Sequence, residues 1–147
     1  MQLDGRPMAI RLRDECLGAR ARHLSRVLTR RYDAALAPLG ITTAQLEILG
    51  IVELTSPTRP AEIARLLDAD RSTASRNIRI MLDNGWLAEE PAPTGRGKLV
   101  ELTATGRNLL VAAEVRWNEA QRTTERELGP EAITTFDRWI ATGREER

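Results

Sequence analysis

The sequence predicts a mainly α fold with a small β-hairpin: a winged helix-turn-helix set between long N- and C-terminal helices. Three observations predict it. Two long segments, about 13–37 and 105–128, repeat apolar residues every three or four positions. Between them, two helical stretches are joined by a three-residue turn, "DAD" at 68–70. Directly after comes "WLAEEPAPTGRGKLVELT", in which two short apolar runs flank a tip rich in Pro, Thr and Gly.

The bulk numbers fit one compact subunit. The chain has 147 residues, with 41% hydrophobic and 29% charged, which places it among folded, soluble domains. No apolar run approaches the roughly 20 residues that span a bilayer, so no membrane partner is expected. Arginines are scattered through the first 30 residues with no apolar stretch between them, which argues against a secretory signal. The single cysteine, Cys16, excludes an internal disulfide and points to a reducing cytoplasm.

Net charge is only +1, but it is unevenly placed. Residues 1–32 carry eight arginines against three acids, and residues 99–147 carry seven arginines against nine acids. Lys98 is the only lysine. A GC-rich genome would give the same bias, and guanidinium also suits bidentate contacts to phosphates and guanine edges.

The elements follow in order. Leu17, Ala21, Leu24, Leu28, Tyr32 and Ala35 make one stripe on the first long helix, and that stripe needs a partner. Pro38 and Gly40 close it. In "ITTAQLEILGIVEL", Thr42 is the expected N-cap with Gln45 completing a capping box, and Ile41 and Leu46 stand as a hydrophobic staple. The interior of this helix is apolar nearly all round, which predicts burial, and Gly50 suggests a close helix crossing. Pro60 suits the first position of a short helix that turns Ile63, Leu66 and Leu67 inward. Asp70 is placed to cap the next helix, 71–84, which Gly85 stops. Thr103 caps the second long helix, Gly129-Pro130 breaks it, and a last helix covers 131–142.

Helix 71–84 carries the chemistry. At about 100° per residue, Ala74, Ile78, Met81 and Leu82 fall on one face. Ser72, Arg76, Arg79 and Asp83 point away, flanked by Thr73, Ser75 and Asn77, and Ile80 also lies outward. No acid stands between Asp70 and Asp83. In a helix-turn-helix the second helix enters the DNA major groove. Arg can reach guanine O6 and N7, Asn can pair with adenine, and Ser and Thr can meet phosphates or bases. The hairpin tip, with Arg96 and Lys98, suits a minor groove or a phosphate backbone. The competing reading is a solvated helix that happens to lack Glu and Lys. The four consecutive elements together favour DNA.

At "LAPLGITTAQLEIL", "PAEIARLLDADRSTASRNIRIMLDNGWL" and "KLVELTATGRNLL" the sequence resembles the MarR family of bacterial transcriptional regulators. The resemblance runs from about Cys16 to Leu128. It implies a homodimer that binds double-stranded DNA at a pseudo-palindromic operator, usually as a repressor. It also implies a dimer body built from a 1–40 helix and 104–147 helices, around a 41–103 DNA-binding unit. The DNA contacts it implies fall on Ser72, Thr73, Ser75, Arg76, Asn77, Arg79, Arg96 and Lys98. Many members release DNA when a small aromatic or anionic effector binds between dimer body and winged helix. The family's usual Asp-Arg-Arg in the wing is Thr94-Gly95-Arg96 here, so the Asp that steadies the wing arginine is missing. That departure implies a looser wing.

Other candidates are weighed against simpler roles. Some peroxide-sensing members use a cysteine in the first helix, about two positions after Cys16, so a redox sensor at Cys16 stands against a buried apolar thiol. His23 is the only histidine, and no Cys or His cluster has metal-ligand spacing, so neither metal nor cofactor is expected. Trp86, Trp117 and Trp139 fit the core, the dimer body or a ligand pocket. Neither a nucleophile–base set nor a phosphate-binding glycine loop is present, which counts against an enzyme. A helical protein-interaction module without DNA contact would show exposed apolar anchors at 71–80 and 94–98, where the sequence has Arg, Ser, Thr and Asn.

Overall fold

The computed structural model describes residues 4–144. Its elements are α1 (Arg6–Glu15), α2 (Leu17–Leu36), a 3-10 turn (Ala37–Leu39), α3 (Thr43–Thr55), α4 (Pro60–Leu66) and α5 (Arg71–Asp83). They are followed by β1 (Leu87–Pro91), β2 (Lys98–Leu102), α6 (Ala104–Leu128) and α7 (Ala132–Arg144). The winged helix-turn-helix between long helical ends is therefore present.

The first long helix is not continuous. It breaks at Cys16, whose backbone is extended at φ −73° and ψ 108°. The Cys16 sulfur accepts the Ala19 N–H at 3.4 Å, so this thiol caps α2. It is half-buried rather than enclosed as an apolar thiol in a core. Helix α1 buries no residue on its own chain and exposes Met8, Ile10 and Leu12.

Two joints fasten the winged helix to the long helices. At the entrance, Thr42 and Gln45 form the expected capping box on α3. Asp33 of α2 reaches the same helix end, where its carboxylate accepts the Thr43 N–H at 2.6 Å and the Thr43 hydroxyl at 2.7 Å. At the exit, the Thr103 hydroxyl accepts the Gly106 N–H at 3.0 Å and donates to the Gly85 carbonyl at 2.7 Å. A Cβ on Gly106 would stand 2.0 Å from the Trp86 carbonyl oxygen. The "LTATG" stretch thus needs its glycine because α6 starts directly against the Trp86 backbone.

The core sits inside the winged helix. Ile48, Leu49, Val52, Ile63, Ile78, Met81, Leu87, Val100 and Leu102 form one buried cluster. Leu36, Ile41 and Ala113 form a second, and Trp86 and Leu109 pack against both. Strands β1 and β2 pair antiparallel from Leu87 opposite Leu102 to Pro91 opposite Lys98. Thr58 adds a third rung, exchanging backbone hydrogen bonds with Val100 at 3.1 and 2.8 Å. Helix α2 is tied to α6 by Arg31, which bonds Thr124 at 3.0 Å and pairs with Glu127, and by the Tyr32 hydroxyl on Gln121.

Three expectations on packing are corrected. Leu54 is 87% exposed, so α3 is buried on one side only. Leu66, the last residue of α4, also faces out. A Cβ on Gly50 would meet nothing within 4 Å, so no helix crosses there; Gly50 faces a cavity instead. Among the described residues no single helix is long and apolar enough to cross a membrane.

Candidate nucleic-acid interface

Helix α5 is held by its inner face and free on its outer one. Ala74, Ile78 and Met81 are buried, with Leu82 half-buried beside them. Ser72, Thr73, Ser75, Arg76 and Arg79 are exposed. The Arg76 side chain has no partner among the described residues. Arg79 lies 3.2 Å from Asp83, four residues along the same exposed face. A pair of that kind is worth at most about 1 kcal/mol, so a phosphate can displace it. Asn77 is half-buried and donates to the Thr73 carbonyl at 3.2 Å, which turns its amide along the helix. Ile80 is 40% exposed. Asp70 occupies the N-cap position but makes no side-chain cap bond.

The wing differs from expectation in two ways. Lys98 is not in the tip. It begins β2 and pairs with Glu89 of β1, which leaves Arg96 as the cation of the loop itself. The tip is also braced. Arg59, immediately before α4, donates from Nη1 to the Arg96 carbonyl and from Nη2 to the Thr94 carbonyl, both at 2.8 Å. Gly95 and Gly97 have φ of +76° and +98°, a conformation costly for residues with a Cβ. The Ala92 N–H closes the loop on the Gly97 carbonyl at 3.0 Å. A guanidinium thus crosses into the wing where the family pattern would place an Asp-Arg pair. Sequence reasoning missed Arg59 because "TSPTR" reads only as a turn. Arginine beside a glycine-rich loop in space leaves no local signal.

The electrostatics of this surface are local. Arg65 holds the Glu62 carboxyl below the ordinary carboxylate range on α4. On α5 nothing acidic lies between its first residue and Asp83, so the exposed face is cationic and hydroxylic. Cys16 and the exposed His23 lie outside this surface, on α2 and its cap. Among the described residues no three His, Cys, Asp or Glu side chains gather to hold a metal.

These features define a winged helix-turn-helix chain with an exposed outer face on α5 and a braced wing. A family model described as MarR family matches residues 39–96. The multiple antibiotic resistance protein MarR of Escherichia coli (strain K12) is 32% identical over 78 residues, which are 52% of this chain and 54% of that protein. The chain spans about half the length of the curated relatives it matches. The crystal structure of the M. tuberculosis transcriptional regulator MosR superposes with a TM-score of 0.80 at 27% identity, covering 90% of this chain and 98% of that one. MosR in complex with DNA gives 0.79 at 28% identity over 90% and 99%. The chain is thus similar to the MarR family over residues 39–96, and it shares the fold of the MosR regulator.

Proposed function

We propose that this chain is a DNA-binding transcriptional regulator, a cytoplasmic homodimer that represses from a pseudo-palindromic operator and answers to a small effector. The observation that carries the reading is the outer face of α5, which is free of acids from Arg71 to Leu82, with Arg76 unengaged at its centre. In this reading Ser72, Thr73, Ser75, Arg76 and Asn77 meet bases and phosphates, and Arg79 exchanges Asp83 for a phosphate. Arg96 lies along the backbone from the wing, and Lys98 contributes only by leaving Glu89. The MosR structure with DNA supports it by likeness.

The dimer body would be 1–40 and 104–147, around the 41–103 DNA-binding unit. Its support is apolar surface left uncovered on those helices. Helix α7 buries no residue and exposes Ile133, Trp139 and Ile140, and α6 exposes Val111 and Val115. A second copy would cover them. No catalytic role is proposed.

The test is binding of genomic DNA fragments recovered with the protein, followed by anisotropy across a salt series. Affinity should fall steeply and linearly in log salt, as released counterions require. A flat dependence would overturn the reading.

A further inference from the structure

A cavity of about 990 Å³ lies between α2, α3, α6 and α7. Its volume suits a small organic molecule. Leu28, Leu46, Leu110, Trp117 and Phe136 supply apolar and aromatic wall. The charged residues of the lining are Glu47 and Glu114, and no arginine, lysine or histidine is among them. Two of the polar groups are already engaged: the Tyr32 hydroxyl donates to Gln121, and the Thr43 hydroxyl donates to Asp33. An anion entering here would approach two carboxylates with no cation to receive it.

We propose that this cavity binds an amphipathic organic cation, with its apolar body on the aromatic wall and its charge between Glu47 and Glu114. The charge sign follows from Coulomb attraction at a site partly shielded from water. Trp117 and Phe136 line the cavity, and a cation over the face of either ring is attracted by its quadrupole where an anion is repelled. Gly50 contributes by leaving room, since a side chain there would project into the cavity. Burial raises the Glu47 carboxyl above the ordinary range although the residue is exposed by surface area, so a bound cation would relieve that carboxylate. This is the reverse of the anionic effector that the family resemblance implies. It deepens the effector-responsive reading above and rests on that reading only for what binding does to DNA.

The experiment uses the full chain and two ions of one shape and opposite charge, tetraphenylphosphonium and tetraphenylborate, in calorimetric titrations. Wild type should bind the phosphonium at least about tenfold more tightly than the borate. The Glu47→Gln/Glu114→Gln double variant, checked for a cooperative melting transition, should lose most of that gap. Arg76→Ala, which alters only the DNA surface, should bind the phosphonium as wild type does, so a failure of DNA binding is separable from a failure at the cavity. Equal or tighter binding of the borate overturns the proposal. So does a gap that survives in the double variant, or no binding of either ion.

Discussion

The guanidinium of Arg59 holds the backbone carbonyl of Arg96 at 2.8 Å, across 37 residues of chain. The residue that braces the wing is therefore itself an arginine, and the Arg96 side chain it positions has no partner among the described residues. Planar guanidinium is needed because its second nitrogen reaches the Thr94 carbonyl at the same distance.

Arg59→Ala should loosen the tip without unfolding the domain. Amides of residues 92–97 should exchange faster, and operator affinity should fall by about 1–2 kcal/mol, the scale of charge-assisted bonds at an exposed site. Arg59→Lys should restore little, because a single ammonium cannot span both carbonyls. Unchanged exchange in the alanine variant would mean that the loop holds itself.

Arg76→Ala should remove discrimination between operator and non-operator DNA, at about 1–3 kcal/mol for a lost bidentate pair. Arg96→Ala should instead weaken all sequences alike and lower the salt slope by about one. Competition titrations against mutated operators separate the two patterns. The docking is wrong if Arg76→Ala binds its operator as wild type does.

Gly106→Ala should destabilise strongly. Its Cβ would fall 2.0 Å from the Trp86 carbonyl oxygen, a backbone atom that cannot swing aside. Overpacking of this kind costs about 1–3 kcal/mol, and more where backbone must move. Chemical denaturation with an unchanged midpoint would contradict it.

Asp33→Ala should cost about 1–2 kcal/mol by stripping Thr43 of the acceptor for both its N–H and its hydroxyl. Asp33→Asn should recover part of the loss, since an amide oxygen still accepts. Equal loss in both variants would assign the effect to charge at the helix N-terminus rather than to hydrogen bonding.

The raised pKa of Glu47 sets a pH trend of definite sign. Burial disfavours its charged form, so its contribution is most favourable below the ordinary value of 4.5 and is lost as pH rises through the raised value. Glu47→Gln should flatten that decline. Denaturation midpoints measured across the acid range check it, and parallel curves for the two proteins would count against it.

What the sequence made legible is local chemistry. Thr42 with Gln45, Thr103 and Gly85 could be read because caps and stops act within four residues of themselves, and all three are where they were expected. The two faces of α5 were readable because Ala74, Ile78 and Met81 keep a helical period. Leu54 was misread because α3 is apolar on nearly every side, which erases the period that tells inside from outside. Gly50 was misread because glycine marks either close approach or open space, and only neighbouring elements decide which. Arg59, Lys98 and the break at Cys16 depend on partners or backbone geometry that spacing does not encode.

The pairing of Lys98 with Glu89 has a practical side. Because the sequence holds one lysine, amine-directed coupling offers a single side-chain address, and that address lies at the base of the wing. A fluorophore attached there would report the approach of a duplex from one known position, without engineering a cysteine.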